Sequence, residues 1–187
     1  MRIPVIDNGG QWTHREWRVL KYLDVDTEII PNTIPLADIS ADGLVLSGGA
    51  ASVDVEYEKL GRLGEYFDKS SVPILAICVA HQFMGQHFGG KVGKAVTGEF
   101  GKTEVLVDDH DEILAGLPSK FNVWESHNDE VKELPSDLVR LAHSESCGVE
   151  AMRHRSKPFF GVQFHPEVEH TEHGEQVFRN FLSVCKR

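Results

Sequence analysis

Cys78 stands where an apolar run, Val72 to Ile77 (VPILAI), meets a helical pattern that opens at Val79. A thiol on such a strand-to-helix turn projects from the carboxyl edge of a sheet. It would sit beside the free N–H groups of a helix start, which favour a thiolate and can hold an oxyanion. The tight turn leaves room only for small residues two positions to either side; here these are Ala76 and Ala80, where glycines are usual. A second segment reads Gly161-Val162-Gln163-Phe164-His165-Pro166-Glu167. It ends an apolar run on an imidazole and places a carboxylate two residues on, across a stiff proline, the ordering logic of a Cys-His-acid triad. A third, Leu46-Ser47-Gly48-Gly49-Ala50, runs from a strand into paired glycines whose N–H groups can approach a substrate oxygen closely. Taken singly, each also fits a plainer role: a buried thiol, a hydrogen-bonded histidine at a strand end, an ordinary βα turn.

Two rival chemistries fit poorly. His165, Glu167, His170 and His173 fall within nine residues, but HPEVEHTEH lacks HExxH spacing and Pro166 forbids a regular helix, so no metal is expected there. The glycine loop has Ala51 where an SGGxDS nucleotide loop needs Asp, and it lacks the Lys-Ser/Thr of a P-loop. Cys78, Cys147 and Cys185 form no CxxC pair and are too scattered for a disulfide framework.

Elements that would position these residues alternate through the first half. Strands are expected at Arg2–Asp7, Asp26–Pro31, Asp42–Ser47 and Val72–Ile77. Helices are expected behind a Thr13–Glu16 capping box (stripe Trp17, Leu20, Tyr22, Leu23), over Asp54–Lys69 (Leu60, Leu63, Phe67 on one face) and over Val79–Phe88. Such alternation implies βαβ crossovers and a mainly parallel α/β sheet with flanking helices. Beyond Gly90 the runs KVGKAVTGEFGKTEVLV, FNVWESH, DLVRLAHS and GVEAMRHRSKPFFGVQF read as strands of an antiparallel extension, closed by a helix over Gly174–Arg187.

The 187 residues suit one domain, 1–187. With 41% hydrophobic and 26% charged residues the composition is that of a soluble globular chain. A formal net charge of −10 argues against nucleic acid or anionic membrane surfaces as partners. No apolar run is long enough to span a bilayer, and the start lacks a secretory signal, so a cytoplasmic protein is expected.

Together the three segments resemble the class I (triad-type) glutamine amidotransferases, whose fold is flavodoxin-like. AICVAHQ is similar to that family's GxCxGxQ, GVQFHPE to its His-Pro-Glu signature and LSGGA to its oxyanion loop, in the family's order. Within the family, Ile6–Gln11 (IDNGGQ), Ser126–Val131 (SHNDEV) and HPEV followed by His170-Thr171 resemble the glutaminase subunits of archaeal two-subunit GMP synthases. Ala50, Ala76 and Ala80 depart from the pattern.

The resemblance implies a Cys78 nucleophile, a His165 acid–base and an orienting Glu167. It implies oxyanion donors at the Gly49 and Val79 N–H groups, and glutamine contacts from Gln82, Ser126, Asn128 and Asp129. His127, on the same loop, fits a structural role as well as a binding one. The resemblance further implies a partner on another polypeptide, an ATP-pyrophosphatase subunit that aminates XMP using Mg-ATP. This chain itself would need no cofactor and would be slow alone. Alternatives are the glutaminase subunit of another amidotransferase, serving anthranilate or carbamoyl-phosphate synthesis, a stand-alone cysteine hydrolase, or a degenerate non-catalytic relative.

Overall fold

The computed structural model describes residues 1–187. Its strands are β1 (Val5–Asp7), β2 (Ile29–Pro31), β3 (Leu44–Leu46), β4 (Ile74–Ile77), β5 (Lys91–Val107), β6 (Lys120–Glu133), β7 (Leu138–His143), β8 (Ala151–His154) and β9 (Phe159–Val162). Its helices are α1 (Thr13–Tyr22), α2 (Leu63–Lys69), α3 (Val79–His87) and α4 (Gly174–Cys185). All nine strands join one sheet in the order β2-β1-β3-β4-β9-β8-β7-β5-β6. The first five in that order are parallel, and the remaining pairings are antiparallel.

Period-2 alternation divides the core between the two faces of the sheet. Val5, Val45, Leu75, Ile77, Phe160 and Val162 pack on one side with Leu20 of α1 and Phe178 and Phe181 of α4. Ile6, Leu44, Leu46, Ile74, Ala76 and Phe159 pack on the other with Phe67 of α2 and Phe83 and Met84 of α3. Both faces of β4 are therefore covered, which is why VPILAI reads as a continuous apolar run.

One register row, Ile6–Leu46–Ala76–Gly161, crosses four adjacent parallel strands. The loops that follow these strands thus leave the same carboxyl edge side by side, the usual location of ligand crevices in open α/β sheets. These are the glycine turn after β1, the Ser47–Gly49 loop, Cys78 and the Gln163–Glu167 segment.

Three expectations change. The helix over Asp54–Lys69 is split into a 3-10 turn at Tyr57–Leu60 and α2, because Gly61 takes φ +55° at the break. A Cβ on Gly61 would fall 2.5 Å from the Asn32 carbonyl oxygen, so the chain turns there against the loop after β2. The capping box does not form: the Thr13 hydroxyl reaches Asp7, Gly10 and Ser47, and the Glu16 carboxylate accepts from the Gly48 N–H. Both polar side chains are recruited by neighbouring loops rather than by their own helix. Finally, the last long run makes two strands, and β9 returns to pair in parallel with β4. It thereby carries GVQFHPE to the side of Cys78 rather than out into the antiparallel extension.

Candidate active site

Cys78 occupies φ +52°, ψ −107° between β4 and α3, a region sparsely populated by L residues. The surroundings fix it there. Its N–H donates to the Val162 carbonyl at 2.8 Å, and its carbonyl accepts the first α3 bond from the Gln82 N–H at 3.0 Å. Ala76 and Ala80 flank the turn and are fully buried. Gly161, the register partner of Ala76, makes room on the neighbouring strand: a Cβ there would meet His81 Nδ1 at 2.7 Å. The His81 ring fills that space instead and is held neutral, its pKa lowered by burial to about 4.

His165 and Glu167 follow β9. Nδ1 of His165 lies 2.7 Å from Glu167 Oε1, and both side chains are buried. Burial alone would push the imidazolium down, but the Glu167 carboxylate and the Cys78 sulfur outweigh it and hold the His165 pKa well above the ordinary range. That is the electrostatics of an imidazole held protonated beside a buried carboxylate. Trp12 packs edge-on against His165 with ring centroids 4.4 Å apart. A Cβ on Gly48 would lie 3.1 Å from His165 Cε1 and 3.5 Å from Cys78 Cβ, so this glycine lets the loop close over both reacting groups.

The expected oxyanion donors are neighbours. A Cβ on Gly49 would fall 3.1 Å from Val79 Cγ1, and neither the Gly49 nor the Val79 N–H is engaged in a backbone hydrogen bond. Cys78, Gln82, Ser126, Asn128, Asp129 and His165 all line one cavity of about 500 Å³, a size that suits a small metabolite. Gln82 Nε2 donates to the Asp129 carbonyl at 2.6 Å, and the Ser52 hydroxyl bonds the Asp129 carboxylate at 2.6 Å. Ser126 and Asn128 are exposed at the cavity wall. The His127 ring turns inward instead, with Nε2 2.9 Å from Glu99 Oε2. Of the expected site residues, Cys78, His165, Gly49, Gln82, Ser126, Asn128 and Asp129 line this cavity, while Glu167 stands behind His165 and Val79 beside Gly49 without lining it; His170 and His173 lie apart from it.

Three contributors escaped the reading of the sequence. Gln163 donates to Cys78 Sγ at 3.7 Å and accepts from Gln82 at 3.1 Å, tying the elbow to the β9 loop. Its presence within GVQFHPE was the available signal. Trp12 gave no signal beyond its place after a glycine turn. Glu16, fully buried, lines the cavity and offers one oxygen to the Gly48 N–H at 3.3 Å. Burial, and after it the nearby Glu167 charge, raises its pKa well above 4.5.

The raised Glu16 value has a sign that can be measured. Between pH 4.5 and the native value the unfolded chain releases this proton while the folded chain keeps it, so stability falls as pH rises. Glu16→Gln, isosteric with the protonated acid, is expected to match the parent near pH 4.5 and to exceed it progressively toward pH 8. A gain of ~1 kcal/mol would appear as a Tm rise of about 2–4 °C in a chain of this size. Thermal melts at several pH values check this; parallel curves for the two proteins would refute it.

Known proteins resemble the chain over its whole length. A sequence model of the family described as "Glutamine amidotransferase class-I" matches residues 4–185. The glutamine-hydrolyzing GMP synthase subunit of Thermoplasma volcanium is 53% identical over 188 residues, covering 100% of this chain and 93% of that one. The protein of the same name from Thermococcus kodakarensis is 50% identical, with 98% of each chain covered. A crystal structure from Thermoplasma acidophilum, provisionally identified as the same GMP synthase subunit, superposes with a TM-score of 0.95 at 52% identity over 100% of this chain and 94% of that one. A Thermotoga maritima glutamine amidotransferase shares the fold at a TM-score of 0.77 and 20% identity, over 100% and 82% of the two chains. With its catalytic-type elbow, His-Pro-Glu segment and glycine loop at one sheet edge, the chain belongs to the class-I glutamine amidotransferases, among the subunits of the glutamine-hydrolyzing GMP synthases.

Proposed function

We propose that this chain is the glutaminase subunit of a two-subunit GMP synthase and that Cys78, His165 and Glu167 are its catalytic triad. The observation that carries the reading is the Cys78 elbow facing a His165–Glu167 pair in the cavity that also holds the substrate-loop residues. Cys78 thiolate attacks the side-chain carbonyl carbon of glutamine, and the oxyanion so formed accepts from the Gly49 and Val79 N–H groups. His165 gives its proton to the departing amide nitrogen, which leaves as ammonia. The same imidazole then takes a proton from water, whose oxygen attacks the γ-glutamyl thioester and releases glutamate and the thiol. Glu167 fixes the tautomer and orientation of His165 throughout. Gln82, Ser126, Asn128 and Asp129 hold the amino-acid head group.

The relatives are themselves named as one subunit of their enzyme, which supports a separate partner. In this reading the partner is an ATP-pyrophosphatase chain that binds Mg-ATP and XMP and consumes the ammonia. The rim of the cavity supports docking: Val55 and Phe100 are 72% and 64% exposed there, apolar area of the kind a partner covers. No helix is long and apolar enough to cross a membrane, which is compatible with work in the cytoplasm.

Glutamate release tests the reading. The purified chain is assayed alone and with the ATP-pyrophosphatase chain of an archaeal two-subunit GMP synthase, XMP and Mg-ATP. Stimulated hydrolysis and GMP formation from glutamine are expected. Robust hydrolysis indifferent to the partner would leave a stand-alone hydrolase, and no hydrolysis under either condition would discard the enzyme.

A further inference from the structure

Directly behind the head-group loop lies a second cluster of ionisable side chains, closed to solvent. Glu99 comes from β5, Glu125 and His127 from β6, and Glu150 from the residue before β8; all four are nine-tenths or more buried. One oxygen each of Glu99, Glu125 and Glu150 lies within 4.8 Å of the others, and Glu99, His127 and Cys147 meet the same limit. Apart from His127 Nε2, 3.3 Å from Glu125 Oε2, and from each other, the carboxyl oxygens of Glu125 and Glu150 meet no hydrogen-bond donor, although both residues are 0% exposed. Native interiors do not leave two carboxyl groups unsatisfied without compensation.

The details favour a cation as that compensation. His127 Nδ1 lies 3.0 Å from the Asp129 carbonyl, the outer bond that turns Nε2 into a free lone pair in metal-ligating histidines. Nε2 in turn faces Glu99 Oε2 at 2.9 Å and Glu125 Oε2 at 3.3 Å. The other Glu99 oxygen is engaged by the Ser144 hydroxyl at 2.7 Å and by Ser146, which leaves Oε2 to face His127 Nε2. Ligand atoms about 2.1 Å from a tetrahedral ion stand about 3.4 Å from one another, and His127 Nε2 already lies 2.9 Å and 3.3 Å from the Glu99 and Glu125 oxygens. The Glu150 oxygen, within 4.8 Å of the Glu99 and Glu125 oxygens, joins them by a side-chain movement.

We propose that Glu99, Glu125, His127 and Glu150 form a structural site for one divalent transition-metal ion, of the Zn²⁺ or Mn²⁺ class that carboxylate–imidazole sets select. Binding displaces the protons that the cluster otherwise shares and joins three stretches of chain: the β5–β6 ribbon through Glu99, Glu125 and His127, and the turn before β8 through Glu150. The site also underpins the head-group loop, because the Asp129 carbonyl that faces His127 also accepts from Gln82. Cys147 is a bystander: burial pushes its thiol pKa far up, and it lies against the Val149 carbonyl.

The competing state is a metal-free, proton-sharing cluster. In it, burial would lower the His127 imidazolium, but Glu125 and Glu99 outweigh that and hold its pKa near 10, while burial and the Glu125 charge keep Glu150 protonated. The experiment must separate the two states.

Untagged full-length chain carrying Cys78→Ala, so that the elbow thiol cannot ligate, is prepared from zinc-supplemented and manganese-supplemented cultures and its metal content measured by mass spectrometry. Stripped protein is then titrated with Zn²⁺ or Mn²⁺ against a chromogenic chelator, and its Tm is followed with and without each ion. One tightly held ion per chain and a Tm that falls on stripping are expected. Glu125→Gln and Glu150→Gln, each tested in the same background, are expected to weaken affinity by about 10–100-fold or more. No retained ion and no ion-dependent Tm in the parent would overturn the site and leave the proton-sharing cluster. Equal affinity in parent and variants would overturn it as well, by placing the ion elsewhere. Should a variant fail to fold, the parent's stoichiometry and Tm response still decide. Metal content and Tm report on this site whether or not the chain hydrolyses glutamine.

Discussion

Cys78→Ala is expected to lower kcat for glutamine hydrolysis by ~10⁴-fold or more, because loss of the nucleophile removes the covalent route and leaves only the binding and oxyanion contributions. Binding of glutamine itself, read by calorimetry, should change little, since Gln82 and the Ser126–Asp129 loop keep their places in the cavity. The elbow adds a stability signature that ordinary cysteines lack. With φ at +52°, any side chain at position 78 carries the backbone cost of a sparsely populated region, of order 1–3 kcal/mol. Cys78→Gly is therefore expected to be more stable than Cys78→Ala, by up to about 1 kcal/mol in urea denaturation, reversing the usual advantage of alanine over glycine. An alanine variant that keeps a hundredth of the parent's turnover would remove Cys78 from the mechanism. One more stable than the glycine variant would remove the strain.

The chemistry was more legible in the sequence than the packing around it. Val72–Ile77 announced a strand covered on both faces by its continuous apolar run, and the position of Cys78 after it predicted the elbow; both follow from local pattern alone. The return of β9 to the side of β4 was not visible in pattern, because a four-residue apolar strand reads the same in a parallel or an antiparallel pairing. The sequence reading placed it in the antiparallel extension instead. Thr13 and Glu16 had capping-box spacing, yet loops from other strands captured both side chains. Tertiary partners override a local signal worth only about 1 kcal/mol. Gly61 was silent for a related reason: nothing in YEKLGRLGEY shows that Asn32 occupies the space a Cβ would need. The carboxyl cluster was least legible, since Glu99, Glu125 and Glu150 come from three separated segments and each reads singly as a solvated strand residue.

Glu167→Gln keeps the shape of the triad and removes its charge, which makes it the sharper probe of how His165 works. In the parent, the buried carboxylate 2.7 Å from Nδ1 and the Cys78 sulfur outweigh the desolvation that would otherwise push the imidazolium down. Without the carboxylate, burial gains the upper hand and the His165 pKa falls. Fewer molecules then hold the proton that must reach the departing nitrogen, so kcat is expected to drop by ~10²–10⁴-fold, and the alkaline limb of kcat/KM to move to lower pH. Stability should follow the same charge. A raised imidazole pKa stabilises the fold below its unfolded value of about 6.5, and the contribution is lost as pH climbs through the native value. The deficit of Glu167→Gln relative to the parent is therefore widest in acidic to neutral buffer and narrows on the alkaline side. A variant with the parent's pH profile and only a lower plateau would show that Glu167 positions the ring through geometry alone; an unchanged kcat would take it out of the triad.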